Sequence, residues 1–396
     1  MSGQLDKSPF KPPFWLPEGQ SQTIIGARFA RHPTIQFQRE RLNTDDGDFI
    51  DLDWNIPGLH EINAELVQPQ SQLSSKQHNT SELEHGSLAH APLQAISREN
   101  SQQETTLLSS QQETTPRSSQ QETARLTHPE FTGPALVLFH GLEGSSESHY
   151  AQSICHDFRQ LGWAVVVAHF RGCSGENNRL PRSYFSGDTG DVAYIMQNIQ
   201  RRLPNAQWYA AGVSMGGNVL LKYAGEQGSY LKHLKAIAAI SAPTNLHACA
   251  EQLGRGFFSK QIYTPYFLIG MKKKMREKHQ QWGDEIPLKK ILAAQTIFDF
   301  DDAYTGPIHG FAGAADYYRR CSSQPGLADI QVPCLVLNAK NDPFVPAFSL
   351  PKPHEVSSYV TLHQPEHGGH VGFSQGRFPS QHGWLSQRLL RFFTGR

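Results

Sequence analysis

The chain has 396 residues, 38% of them hydrophobic and 18% charged, with 36 basic side chains balanced by 36 acidic ones. That apolar fraction supplies a sizeable core and rules out a chain disordered throughout. A formal net charge of zero gives no global electrostatic reason to bind nucleic acid, so nucleic acid is not expected as a partner.

The first seven residues, Met1 to Lys7, hold no apolar run of signal-peptide length, and nowhere do about eighteen uncharged apolar residues follow one another. A soluble, cytoplasmic protein is expected, without an integral membrane segment and with no more than transient contact with a lipid surface. Cys155, Cys173, Cys249, Cys321 and Cys334 are scattered, odd in number and free of Cys-x-x-Cys spacing, which suits a reducing compartment. Oligomeric state is not readable from these features.

Residues 1–60 read as an N-terminal segment ending in an antiparallel hairpin, with strands at 35–41 and 49–54 joined through Thr44-Asp45-Asp46-Gly47. From 61 to 130 the chain turns polar and almost free of aromatic residues. Within that stretch Ser101-Gln102-Gln103-Glu104-Thr105-Thr106 returns at Ser110 and, nearly unchanged, at Ser119. A nine-residue period with so few apolar side chains buries no face and cannot offset the entropy of ordering, so 61–130 is expected to be a disordered insertion.

Beyond it, short apolar runs alternate with helix-length segments, at 135–139, 164–168, 208–212, 236–240, 334–338 and 359–363. Near-continuous apolar strands are those buried on both faces by crossover helices, so the fold class is α/β with a mostly parallel central sheet. The core falls into two parts, 131–243 and 331–396. Between them 244–330 break the alternation and are expected to form a helical lid. In such sheets ligands bind beyond the carboxyl ends of the strands, so chemistry belongs directly after each run.

The first run leads into His140-Gly141-Leu142-Glu143-Gly144, a tight turn able to aim the Leu142 N–H at a developing oxyanion. His140 reads as a structural histidine and Glu143 as a polar loop residue. His169-Phe170-Arg171-Gly172 follows the second run, and its arginine suits pinning a loop. The third run ends in Gly212-Val213-Ser214-Met215-Gly216, the sequence form of a nucleophile elbow, in which small residues free a serine to stand clear of a strained strand-to-helix turn. Met215, the next residue, offers the second oxyanion N–H from a helix N-terminus.

Asp342 follows the fifth run and suits orienting a histidine; the sixth leads into His367-Gly368-Gly369-His370-Val371-Gly372-Phe373. His370 is the expected base, since two glycines give its loop room to reach Ser214 while Val371 and Phe373 pack below. His367 is read as a loop residue. The order Ser214, Asp342, His370 is that of an α/β-hydrolase triad.

These five motifs resemble those of the YheT/EMB8-type α/β-hydrolases, esterase- and lipase-like serine hydrolases, over nearly all of the chain outside 61–130. The resemblance implies the same triad and either hydrolysis of small-molecule acyl esters or acyl transfer to an alcohol. The basic run Lys272 to Lys278 reads as a solvated helix face, and the His279/Asp284 spacing is a weak local hint of transferase activity. A non-catalytic scaffold is the remaining alternative. No zinc-ligand spacing, phosphate-binding loop or dinucleotide fingerprint occurs, so no cofactor is expected.

Overall fold

The computed structural model describes residues 2–58 and 127–395. The expected disordered insertion lies outside the described residues, apart from 127–130. There the His128 N–H donates to Arg202 O at 2.7 Å and the Phe131 N–H to His128 O at 3.2 Å, so these last residues belong to the folded unit and its edge moves before 131.

Nine strands form one sheet among the described residues: β1 (Gln4–Asp6), β2 (Gln38–Asn43), β3 (Phe49–Asn55), β4 (Pro134–Phe139), β5 (Ala164–Ala168), β6 (Gln207–Val213), β7 (Leu234–Ile240), β8 (Cys334–Leu337) and β9 (Val360–His363). Their spatial order is β1-β9-β8-β7-β6-β4-β5-β3-β2. All neighbours pair in parallel except β2 with β3 and β3 with β5. The antiparallel hairpin therefore sits at one edge, as its turn residues imply; Gly47 holds φ 84° there. At the other edge β1 pairs with β9, an addition that three residues of mixed polarity do not announce.

Strands β4 to β9 are largely apolar because helices cover both faces of the sheet there. On one face α3 (Thr189–Arg202) and α4 (Met215–Gln227) bury Val192, Ile195, Val219 and Leu220 against Val137, Val166 and Ile237. On the other, α2 (His149–Gln160) and α11 (Trp384–Thr394) bury Ile154, Phe158, Leu389 and Phe393 against Leu136, Val165 and Ala238. Each such side chain contributes roughly 1.5–3 kcal/mol of burial energy.

α1 (Gly19–Arg28) precedes the hairpin. Between β7 and β8 run six helices, α5 (Leu246–Leu253), α6 (Thr264–Trp282), α7 (Leu288–Ala293), α8 (Ile297–Phe300), α9 (Gly306–Ile308) and α10 (Ala314–Cys321). Asn245 caps α5 through the Ala248 N–H, and Thr296 with Asp299 forms a capping box on α8. These helices bury an apolar cluster of their own, including Leu268, Met271, Met275, Ile291 and Phe300.

The basic run keeps its expected solvated face at Lys273 and Arg276 and departs from it at three other lysines. Lys278 is 2% exposed, and its Nζ donates to the carbonyls of Leu180 and Arg182; burial brings its ammonium down to about 7. Lys272 donates to Leu292 O and Ala294 O. A run of basic residues along one helix does not show that a neighbouring loop presents carbonyls to it. No helix among the described residues is long and apolar enough to cross a membrane.

Candidate active site

β6 ends in Val213, α4 begins at Met215, and Ser214 between them holds φ 53° and ψ −121°, a conformation that a residue with a Cβ adopts only when its surroundings impose it. Two glycines make the turn sterically feasible. A Cβ on Gly216 would stand 2.5 Å from His140 O and closer still to Phe139 O, and one on Gly212 would collide with the Gly216 carbonyl. The Ser214 N–H is anchored on Ile240 O at 2.8 Å. Local sequence thus dictates a serine lifted out of the sheet's end.

Ser214 Oγ lies 2.9 Å from His370 Nε2, and His370 Nδ1 lies 2.9 Å from Asp342 Oδ2. An ionised carboxylate only accepts, so Nδ1 carries the ring proton and Nε2 is left to accept from the serine hydroxyl. Asp342 is itself fixed: its Oδ1 accepts from the N–H groups of Phe344 at 2.7 Å and Val345 at 3.1 Å. The Phe344 ring packs against the imidazole with centroids 4.2 Å apart. The three side chains expected from the sequence are brought together from the carboxyl ends of β6, β8 and β9, in an arrangement that can pass a proton from Ser214 to His370.

Leu142 and Met215 flank Ser214 and line the same cavity. Gly141 permits the approach, since a Cβ there would stand 3.2 Å from that of Ser214. The turn is braced from below: the Tyr150 hydroxyl accepts from the Gly141 N–H at 2.8 Å, and Tyr184 accepts from the Glu143 N–H at 3.0 Å. His140 is fully buried, with Nδ1 donating to Gly141 O and Nε2 accepting from the Phe170 N–H. Burial, with His169 adding to it, lowers its pKa to about 3, so it stays neutral and holds the loop. Arg171 lies beneath, forking onto Asp191 with further contacts to Asp46 and Asp48.

Glu143 is more than a polar loop residue. Its carboxylate accepts from Tyr184 OH at 2.7 Å and pairs with Lys274 Nζ at 3.0 Å, tying the loop after β4 to α6. Burial opposes the Lys274 ammonium, but Glu143 and Cys173 together raise its pKa. Lys274 thus forms an anchored pair where a surface charge was expected.

α1 contributes residues that no local motif marks. Thr23 Oγ1 accepts from the His370 N–H at 2.9 Å and donates to Gly19 O at 2.7 Å. Gln22 Oε1 accepts from the Gly368 N–H at 2.8 Å and from Asn341 Nδ2 at 3.1 Å. Ser241, after β7, accepts from the Val371 N–H at 3.0 Å. Val371 and Phe373 pack into the core below the loop, while His367 among the described residues meets only Asn341, at 3.4 Å. His279 donates to Ile286 O, and neither it nor Asp284 lines the cavity with Ser214.

From Ser214 a cavity of about 1030 Å³ including its open mouth runs under α5, α6 and α8, with Leu246, Leu253, Phe267, Met271 and Phe300 in its walls. That is the size and character of a small-molecule site. Among the described residues no group of three or more His, Cys, Asp or Glu side chains is placed to hold a metal ion. All five cysteines are free and buried.

A family model described as the alpha/beta hydrolase fold matches residues 134–376, which include Ser214, Asp342 and His370. The chain belongs to the alpha/beta hydrolase family. Within it, the chain is 40% identical over 263 residues to YheT of Escherichia coli K12, named as a candidate esterase, covering 66% of this chain and 76% of YheT. Phospholipase ABHD3 of Homo sapiens is 26% identical over 384 residues, covering 97% of this chain and 78% of that protein. A monoacylglycerol lipase of Saccharomyces cerevisiae is 30% identical over 269 residues, covering 65% of this chain and 58% of the lipase. The hydrolase is thus of the YheT/EMB8 type that its five motifs resemble.

Proposed function

We propose that this alpha/beta hydrolase is a serine carboxylic-ester hydrolase in which Ser214 is the nucleophile, His370 the general base and then acid, and Asp342 the group that orients the imidazole. The observation that carries the reading is the continuous hydrogen-bonded line from Ser214 Oγ through His370 to Asp342 Oδ2. The names of its relatives, an esterase, a phospholipase and a monoacylglycerol lipase, point to the same reaction class.

His370 Nε2 takes the serine proton as Oγ attacks the ester carbonyl, and the N–H groups of Leu142 and Met215 receive the charge that develops on oxygen. Neither amide has an acceptor among the described residues. His370 then returns the proton to the departing alkoxide, leaving an acyl-enzyme that water hydrolyses by the reverse sequence. The helices of 244–330 serve as the lid, and the apolar cavity beneath them suits a short- to medium-chain acyl group.

The test is hydrolysis of p-nitrophenyl esters of two to sixteen acyl carbons by the native protein and by Ser214→Ala. The expected result is turnover that peaks at short or medium chains and falls at least about a thousandfold in the variant. Turnover that survives Ser214→Ala removes the mechanism. A Ser214 that reacts with a fluorophosphonate while no ester is cleaved removes the substrate class but keeps the nucleophile.

A further inference from the structure

Among the charged side chains that line the cavity opening at Ser214, Arg171, Glu143 and Lys274 are paired with opposite charges, whereas Asp301 has no such partner among the described residues. Asp301 is 7% exposed and stands in the turn Asp301–Thr305 that follows α8. Its Oδ2 accepts from Tyr318 OH at 2.7 Å, and the Thr305 hydroxyl is its other side-chain partner. Asp301, Thr305 and Tyr318 all line the cavity that Ser214 and His370 line. Among the described residues no lysine, arginine or histidine pairs with this carboxyl.

Two other hydroxyls of the same wall have backbone partners. Tyr304 OH donates to Pro181 O at 2.6 Å, and Tyr317 OH accepts from the Ser186 N–H at 2.9 Å. Asp301 differs from them. A carboxylate offers about four lone-pair sites, and two hydroxyl donors leave capacity unused. Burying such a group beside Phe300, Ile297 and Leu246 is costly unless further donors reach it. No cation of the described residues pairs with Asp301, so a further donor to its spare lone pairs is one that enters with the ligand. A hydroxyl costs far less than an ammonium to bring out of water into these apolar walls, which favours a neutral donor.

We propose that Asp301 is a specificity-determining residue, accepting a hydrogen bond from a hydroxyl on the acyl chain at a distance from the ester, so that hydroxyacyl esters are the favoured substrate class. The inference rests on the ester-hydrolase reading above and deepens it. The acyl chain lies along the apolar walls with its carbonyl at Ser214, and its hydroxyl donates to the Asp301 carboxylate alongside Tyr318 and Thr305. An unsubstituted chain of the same length fills the walls and leaves the carboxylate short of a donor.

The test uses the full chain and three matched series of p-nitrophenyl esters, from six to twelve acyl carbons: unsubstituted, ω-hydroxy and ω-methoxy. The methoxy series keeps the oxygen but cannot donate. At one chain length the native protein should prefer hydroxy over methoxy by about 10-fold or more in kcat/KM, the strength of a hydrogen bond to a charged group. In Asp301→Ala that ratio should fall to within about twofold of unity, with Asp301→Asn between the two. A native protein that does not separate hydroxy from methoxy at any length overturns the proposal, and that readout needs no variant to fold. So does an Asp301→Ala variant that keeps the native ratio. Hydrolysis of the unsubstituted series tests the reaction class by itself, so the two readings fail separately.

Discussion

Thr23→Val tests whether α1 is part of the catalytic apparatus. The substitution keeps the shape of a buried side chain and deletes the one atom, Oγ1, that accepts from the His370 N–H at 2.9 Å. A buried donor stripped of its acceptor costs about 1–3 kcal/mol. The loop can recover part of that only by turning the amide elsewhere, which carries the imidazole away from its 2.9 Å contact with Ser214 Oγ. A shift on the order of 1 Å in a reacting group costs about 100-fold in rate. The expected outcome is a kcat/KM about 10- to 100-fold below native on a soluble p-nitrophenyl ester, with urea stability lowered by about 1–3 kcal/mol. Thr23→Ser, which keeps the oxygen, should stay near native. The reasoning is refuted if Thr23→Val retains native kcat/KM to within about twofold, or if Thr23→Ser is damaged as badly.

Gly216→Ala places a Cβ against the carbonyls of Phe139 and His140, and should cost about 1–3 kcal/mol and most of the esterase activity, read by thermal melts and initial rates. Glu143→Gln leaves the Lys274 ammonium without its carboxylate and should destabilise the protein by about 2–3 kcal/mol in urea, together with a drop in kcat as the Leu142 turn loosens; unchanged stability would show that the pair does not anchor the loop. Burial raises the Asp301 carboxyl from 3.8 to about 6, so the folded state holds this proton more firmly than the unfolded chain and native stability falls as pH rises from about 4 to 6. That gap corresponds to about 3 kcal/mol. Asp301→Asn, which does not ionise, should therefore be more stable than native at pH 8 and lose the advantage at pH 4, and an advantage that ignores pH contradicts the assignment.

What could be read from the chain is what local physics writes into it. Strands β4 to β9 appear as apolar runs because both of their faces are covered, and each expected run lies within two residues of the strand found. Ser214, Asp342 and His370 were legible because each must stand just past a strand end, with glycines where backbones close in on one another. Gln22 and Thr23 were not legible. Their partners in the His370 loop are more than three hundred residues away, and a threonine one turn into a short polar helix looks like any other. Lys274 and Lys278 misled for a related reason: a run of charges reads as solvated until the loops that receive it, at Glu143 and 180–182, are in place. Asp301 carried no signal, since its meaning comes from the cavity around it and not from its neighbours in sequence.

The bond between Thr23 and the His370 loop also sets an order in time. During synthesis α1 leaves the ribosome well before its partner loop, with eight of the nine strands, β2 to β9, between them in sequence. A contact of such sequence separation forms late, after the entropy of closing a very long loop has been overcome. The fully braced triad therefore exists only once two segments more than three hundred residues apart have met, and that meeting doubles as a check that the intervening strands have found their places.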